Sequence, residues 1–194
     1  MTPSKRAQKE LRILLARHFG DGRVYPEARI RRDARDVFRD LGMYAPVPDL
    51  AVGPRNLEEQ EKDRKAAARQ ICRASRDPLI QRIQQECEKQ NKEFWKNENP
   101  RYLLTIEIEF SGAAKYILGD FLNASVLGHV GVVVGKSDNF ARIERVRKYA
   151  HTLRSLRKVD RTLFTNIACF TEEDFKKLIN AAPKAMRVNG KARR

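Results

Sequence analysis

The chain has 194 residues, 41% of them hydrophobic and 34% charged, which indicates one globular domain with a hydrophobic core and charged flanks. No window approaches the roughly 18 consecutive apolar residues of a membrane helix, and three cysteines without Cys-x-x-Cys spacing argue against a disulfide framework and a structural zinc site, so we expect a cytoplasmic protein. A formal charge of +15 indicates a polyanionic partner.

The positive charge is concentrated towards the two ends of the chain. Residues 139–194 carry fifteen basic and five acidic side chains, and residues 1–40 carry eleven and six. Residues 101–138 carry only three basic and four acidic side chains. Basic flanks suited to phosphate groups therefore surround a nearly neutral centre, where we expect the chemistry; the alternative is that the basic faces serve only solubility.

The first part of the chain predicts two helices and a strand. Apolar residues at i, i+3, i+4 and i+8 from Leu11 to Phe19 predict an amphipathic helix over 4–19. A second helix is predicted from Pro26, which suits a first helical position, to Leu41. The segment 44–54 holds a short apolar run between prolines and a glycine, which is typical of a buried strand entered through a turn.

Residues 56–99 are rich in Glu, Lys, Arg, Gln and Ala and contain no strand signal. They predict two helices, over 57–75 and 78–96. Their charge is nearly balanced, so we interpret the segment as a solvated helical insertion. DNA contact or dimerisation is the alternative interpretation.

The second half of the chain predicts a βαβ unit. Residues 102–110 are rich in β-branched and aromatic residues and predict a strand; 113–127 predict a helix. The nearly continuous apolar run 129–135 is typical of a strand buried on both faces of a parallel sheet. A helix over 139–158, a strand over 163–170, a helix from Thr171 and a basic tail over 183–194 complete an α/β domain that spans 1–182.

Two glutamates share one face of the strand 102–110. Side chains alternate along a strand, so Glu107 and Glu109 project together, about 7 Å apart, opposite Ile106 and Ile108. Like charges on a core strand are costly, and a divalent cation is the simplest compensation. The alternative is an edge strand with a solvated polar face.

The order of these motifs resembles the PD-(D/E)XK nuclease superfamily, which has a restriction-endonuclease-like fold. Pro48-Asp49 opens a short apolar strand, Glu107-x-Glu109 lies on the next predicted strand, and a helix and a buried strand follow. The resemblance covers about residues 24–135. It implies a mixed central sheet flanked by helices, with the segment 56–99 as a helical insertion.

The resemblance also implies roles for individual residues. Asp49 and Glu107 match the two carboxylates that bind Mg²⁺, for which Mn²⁺ can substitute. Glu109 stands where the superfamily usually has lysine, a variant that some restriction enzymes share, and implies a general base or a further metal ligand. Lys115 is the candidate for a migrated lysine, and Glu27 matches an additional acidic position of some members.

The function implied by the resemblance is Mg²⁺-dependent endonuclease cleavage of double-stranded DNA, by a restriction-type enzyme that acts as a homodimer. The alternatives are a non-catalytic DNA- or RNA-binding protein on a degenerate nuclease fold and an interaction protein that uses the helices of 56–99. The candidate phosphate contacts are the basic residues of the predicted helix 139–158: Arg142, Arg145, Arg147, Lys148, Arg154, Arg157 and Lys158.

Other chemistries find less support in the sequence. His18, His129 and His151 are isolated from Cys and Ser motifs, which indicates structural or solvent-facing roles. The glycines form neither a P-loop nor a Gly-x-Gly-x-x-Gly turn, so nucleotide binding is not expected. Asp120 and Asn123 lie one turn apart on the predicted crossover helix, either as ordinary helix polar residues or facing a partner.

Overall fold

A computed structural model describes residues 1–28, 46–55, 61–97 and 100–183, with only the backbone described over 61–64. None of the helices in these ranges is long and apolar enough to cross a membrane. The described residues form six α-helices and five strands. In chain order these are α1 (Pro3–Phe19), β1 (Val24–Pro26), β2 (Leu50–Arg55), α2 (Glu61–Ala74), α3 (Pro78–Asn91), β3 (Tyr102–Glu109), α4 (Ala114–Leu127), β4 (Gly128–Gly135), α5 (Phe140–Ser155), β5 (Ile167–Thr171) and α6 (Glu172–Ala181).

The strands form one mixed sheet in the order β1-β2-β3-β4-β5. The pairs β1/β2 and β2/β3 are antiparallel, whereas β3/β4 and β4/β5 are parallel. Strand β3 is therefore central, with a neighbour of each orientation. Helix α4 connects the parallel strands β3 and β4, so the predicted βαβ crossover and the α/β fold class are confirmed.

Helices cover both faces of the sheet, as the alternation of its side chains requires. On one face, α1, α3 and α6 pack on apolar residues of all five strands, among them Leu104, Ile106 and Val132. On the other face, α4 and α5 pack on Val133 and Ile167. The first core is larger, and the second leaves the polar residues of β3 beneath α4.

The helices within 56–99 differ from the solvated insertion that the sequence predicts. Leu79, Ile80, Ile83 and Cys87 of α3 are fully buried in the first core. At the end of α3, the Gln90 side chain bonds both the N–H and the C=O of Cys169 in β5, at 2.7 and 3.0 Å. A few apolar residues one turn apart are enough to pack α3 against the sheet. The polar side chain at the end of α3 also forms hydrogen bonds with the backbone of the edge strand β5.

The helix predicted from Pro26 does not begin there. Pro26 ends the edge strand β1, where its missing N–H costs no ladder hydrogen bond. The N–H of Glu27 donates to the Asp49 carbonyl oxygen at 2.9 Å and continues the pairing with the β2 side. Residues 29–45, the rest of that prediction, and 184–194 of the predicted tail lie outside the described residues.

The close approach of α4 to β4 predicts a sharp difference between two glycine substitutions. A Cβ at Gly131 would lie 2.8 Å from the Ala124 carbonyl oxygen, whereas a Cβ at Gly119 of α4 meets nothing within 4 Å. We expect Gly131→Ala to lower the free energy of unfolding by about 1–3 kcal/mol in urea denaturation. Gly119→Ala is the matched control and should be neutral or stabilising by up to about 1 kcal/mol; equal effects would contradict the close packing.

Candidate functional site

The two glutamates of β3 are buried beneath the crossover helix. Glu107 and Glu109 are 3% and 5% exposed. The same face of β3 carries Thr105, whose hydroxyl donates to the Ala124 carbonyl oxygen of α4 at 2.9 Å. Because β3 is the central strand, the alternative of an edge strand with a solvated polar face is excluded. Together with Thr105, the two carboxylates lie buried in the layer between β3 and α4.

Asp49 lies next to Glu107, although 58 positions separate them in the chain. The register pairs Leu50 with Ile106, so Asp49 stands just before β2 and opposite Glu107. The Asp49 N–H donates to Glu107 Oε2 at 3.4 Å, and the Ile108 N–H donates to Asp49 Oδ2 at 2.9 Å. Each of the two carboxylates therefore accepts a hydrogen bond from a backbone N–H on the neighbouring strand's side.

Helix α4 adds two polar side chains to this site. Asp120 lies close enough to Glu109 for that residue to raise the pKa of Asp120, and Asn123 lies close enough to Glu107 to lower the pKa of that carboxyl. The sequence placed both residues on one side of the helix and left their role open. One sequence feature could have identified Asp120 as a site residue: an acidic side chain directly before Phe121, which is buried in the second core.

Burial and mutual repulsion raise the pKa values of these carboxyl groups. Desolvation is the main cause for Glu107, whose pKa rises to about 9, and the charges of Asp120 and Asp49 add to it. Desolvation likewise raises the pKa of Asp120 to about 8, helped by Glu109. The pKa of Asp49 is also raised by burial, against the opposing effect of the Ile108 N–H. The cluster therefore holds protons at neutral pH, and a bound cation would displace them.

One oxygen of this cluster has no hydrogen-bond partner. Glu107 Oε1 is buried and receives no donor from the described part of the chain. Leaving such an acceptor unpaired is costly, and a cation would satisfy it. Within the described ranges, no three His, Cys, Asp or Glu side chains lie together as a ready metal site. The pair Asp49 and Glu107 fits Mg²⁺, which usually takes one or two carboxylates and completes its shell with water and phosphate oxygens.

Glu109 has a local structural role that sequence reasoning missed. Its Oε1 accepts hydrogen bonds from the Ser111 hydroxyl at 2.6 Å, from the Gly112 N–H at 2.8 Å and from the Ser111 N–H. Gly112 has φ +70°, so glycine suits this turn. One carboxylate oxygen of Glu109 therefore closes the turn after β3, and the side chain also contacts Asp120.

The lysine predicted to reach the carboxylates lies elsewhere. Lys115 is exposed on the first turn of α4, and its Nζ lies 4.9 Å from the centroid of the Tyr116 ring. No contact described for this structure joins Lys115 to Asp49, Glu107 or Glu109. A first-turn position directs this side chain to solvent, while α4 presents Asp120 to the strand.

The cation that acts on Asp49 comes from α1. The charge of Lys5 lowers the pKa of Asp49, and Lys5 forms an ion pair with Glu27. Gln8, one turn further along α1, donates from Nε2 to the Asp49 carbonyl oxygen at 2.6 Å. Glu27 lies near Asp49, in the turn after β1 and not on the predicted helix, and its role as an additional acidic residue stays a prediction. Lys5 and Gln8 were missed because their neighbours are distant in sequence.

The basic residues of the predicted helix 139–158 divide into two groups. Arg147 is ion-paired with Glu144 at 2.7 Å and donates to the Gln90 carbonyl oxygen, and Arg154 is buried. Arg142 is exposed, and its Nη1 lies 3.5 Å from the Gly112 carbonyl oxygen. The remaining exposed members are Arg145, Lys148, Arg157 and Lys158. Helix α5 thus begins beside the turn that holds the carboxylates.

Two of the three histidines, His18 and His129, take structural positions. His18 is buried and lies 3.0 Å from an Asp77 oxygen, and Asp77 also caps α3. His129 is buried beside Gln84, and burial lowers its pKa. Neither belongs to the carboxylate cluster.

Comparisons with known proteins add no assignment to this site. No protein-family model, curated protein or solved structure matches the chain. The interpretation therefore depends on the geometry of Asp49, Glu107, Glu109 and Asp120.

The raised pKa of Glu107 predicts a pH-dependent stability in EDTA. Between pH 4.5, its ordinary value, and about 9, the native state binds a proton that the unfolded chain has released. Stability is therefore fully retained below this window and is lost as the pH rises through it, with a slope of at most about 1.4 kcal/mol per pH unit from this group. We expect Glu107→Gln to flatten the pH profile of urea denaturation and to gain stability relative to wild type as the pH rises.

The control for this prediction is Glu88→Gln. Glu88 is exposed on α3, away from the carboxylate cluster. Its pH profile should follow that of the wild type. Parallel profiles for wild type and Glu107→Gln would show that Glu107 ionises normally in the folded protein.

Proposed function

We propose that this protein is a metal-dependent nuclease that hydrolyses phosphodiester bonds in DNA. The observation that carries the proposal is the interlocked pair of half-buried Asp49, just before β2, and buried Glu107 on β3, whose Oε1 has no hydrogen-bond partner among the described residues. A site of this kind costs folding stability and offers a cation two negative ligands. It has the chemistry that a phosphodiesterase requires.

The topology supports a restriction-endonuclease-like fold of the PD-(D/E)XK type. The resemblance requires its two carboxylates to lie on adjacent strands and a helix to cross from the second strand to the next core strand. Strands β2 and β3 are adjacent and antiparallel, and α4 crosses from β3 to β4. The separation of Asp49 from Glu107 in sequence is accommodated by α2 and α3, which leave β2 and return to β3 on one side of the sheet.

Each residue of the cluster has a separate part in this proposal. Asp49 and Glu107 would hold Mg²⁺ or Mn²⁺. When bound, such an ion polarises a phosphoryl oxygen, lowers the pKa of its water and offsets the charge of the leaving oxygen. Asp120 holds a proton against Glu109, so this pair can keep or exchange a proton at the edge of the cluster. Lys5 stands on the α1 side and compensates the charge of Asp49.

The proposed substrate follows from the charge of the chain. The net charge of +15 favours a polyanion, and neutralising phosphates with Lys and Arg is the main source of nucleic-acid affinity. Exposed Arg142 adjoins the turn of Glu109, and Arg145 and Lys148 continue along α5. We propose double-stranded DNA as the substrate and a homodimer as the acting form, because cleaving both strands requires two sites.

A plasmid assay tests the proposal. Wild-type protein with Mg²⁺ or Mn²⁺ should nick or linearise supercoiled DNA, and EDTA should stop the reaction. Glu107→Gln and Asp49→Asn each remove a proposed metal ligand and should lower the cleavage rate at least about 100-fold, beyond the 10–100-fold typical of outer-shell changes. Glu88→Gln, a change of the same kind on the outer side of α3, should cleave at the wild-type rate.

The same assay addresses the second candidate, a DNA- or RNA-binding protein without catalysis. The hydrogen bonds of Glu109 to Ser111 and Gly112 favour it, because they give a site carboxylate a structural role. This candidate predicts a salt-sensitive mobility shift that is equal in wild type and Glu107→Gln, without metal-dependent cleavage. Undiminished cleavage by both carboxylate variants would contradict the proposed site.

A further inference from the structure

A second, oppositely charged site lies where α3 and α5 end. A cavity of about 340 Å³ opens between the C-terminal ends of these helices and the segment that leads to β5. Its one acidic lining residue among the described residues is Glu93. The basic lining residues are Lys92, His151, Arg154, Arg157 and Arg161.

Arg154 is the unusual member of this set. It is only 8% exposed, although arginine is rarely so buried without a carboxylate partner. Its Nη2 lies 2.9 Å from His151 Nδ1, and its buried Nη1 has no hydrogen-bond partner within the described ranges. A guanidinium stays protonated in proteins, so this side chain brings a buried positive charge to the cavity wall, on which the charge of Glu93 acts.

Stabilisation of helix ends is the competing explanation for these basic residues. Lys92 and Arg157 follow α3 and α5 in left-handed conformations, with φ of 61° and 54°. Cations at such positions interact favourably with the helix dipole. This accounts for exposed Lys92 and Arg157. It does not require a last-turn arginine to be buried with a guanidinium N–H that no described residue accepts, as Arg154 is.

We propose that this cavity binds a phosphate group with at least three free oxygens. The fork of a guanidinium matches two phosphate oxygens, and three guanidinium groups line the cavity, those of Arg154, Arg157 and Arg161. Lys92, Arg157 and Arg161 supply further donors around the opening. A concave site admits a phosphate with three free oxygens, whereas a phosphodiester within a strand carries nucleotides on both sides. The group can be the terminal phosphate of a nucleic-acid strand or free inorganic phosphate.

The site is separate from the carboxylate cluster. Helix α5 starts beside the Glu109 turn at Arg142 and reaches the cavity at Arg154. Twelve residues of α-helix correspond to about 18 Å, or about five base-pair steps at 3.4 Å. Phosphate binding in the cavity can therefore be tested separately from cleavage by the proposed nuclease.

Isothermal titration with inorganic phosphate tests the site directly, in EDTA and at constant ionic strength set with chloride. We expect saturable binding by the wild type and a loss of about tenfold or more in Arg161→Gln, because one charged hydrogen-bond donor is removed. Arg154→Met should abolish binding and fold normally, since replacing an unpaired buried charge by an apolar isostere removes a desolvation cost. Arg69→Gln, an exposed change on α2 outside the cavity, is the matched control and should bind as wild type does.

Labelled oligonucleotides distinguish the two sources of the group. Duplexes that differ only in a 5′-phosphate or 5′-hydroxyl, and a second pair that differs at the 3′ end, are compared by fluorescence anisotropy in EDTA. A preference of about tenfold for one phosphorylated end, lost in Arg161→Gln and kept in Arg69→Gln, assigns the site to a strand terminus. Inorganic phosphate binding without such a preference assigns it to the free ion.

Two results would overturn the proposal. One is the absence of phosphate binding together with equal affinity for phosphorylated and hydroxyl ends, which would leave the basic residues with the helix-end role alone. The other is phosphate binding that Arg161→Gln and a folded Arg154→Met leave unchanged, which would place the anion elsewhere. Neither result depends on whether Glu107→Gln affects plasmid cleavage.

Discussion

The burial of carboxyl groups between the central strand and its crossover helix is the constraint on which this structure depends. Glu107 and Glu109 lie on a strand that has neighbours on both sides and a helix above it, so water cannot solvate them as it would at a sheet edge. Their partners are the backbone of β2, the turn at Ser111 and the α4 side chain of Asp120. These contacts offset only part of the cost of desolvating the carboxyl groups, because the pKa of Glu107 is still raised.

The close packing of α4 on β4 sets the geometry of this compensation. At Gly131 the strand backbone approaches Ala124 so closely that no side chain fits between them. One turn before Ala124, Asp120 is carried to the level of Glu109, and the parallel register aligns Glu109 with Gly135 at the end of β4. A helix one side-chain layer further away would expose Glu107 and Asp120 to water and remove the desolvation that raises their pKa values. The burial that shifts these pKa values therefore depends on the uncharged contact between Gly131 and Ala124.

The sequence predicted the features that depend on local patterns and missed those that depend on tertiary neighbours. Strand β3, α4 and β4 follow from alternation, helical periodicity and an apolar run, and all three are confirmed. The adjacency of Asp49 to Glu107 was implied only by a family resemblance, because no local signal spans α2 and α3. Lys5 replaced Lys115 as the cation near the site because α1 packs beside β1 and β2, a contact that periodicity does not report.

Two buried polar atoms have no hydrogen-bond partner among the described residues: Oε1 of Glu107, a carboxyl that holds its proton at neutral pH, and Nη1 of Arg154, a guanidinium. Stability alone would favour pairing such groups with each other or replacing them with apolar side chains, since an unpaired buried charge is among the costliest features of a core. They lie on different elements: Asp49 and Asp120 surround Glu107, and basic residues with one acidic neighbour, Glu93, surround Arg154. A chain that keeps both has room for a cation at one end of α5 and for an anion at the other. A phosphate ester in complex with a divalent metal ion presents these two charges together, and a nucleic-acid strand can present them about 18 Å apart.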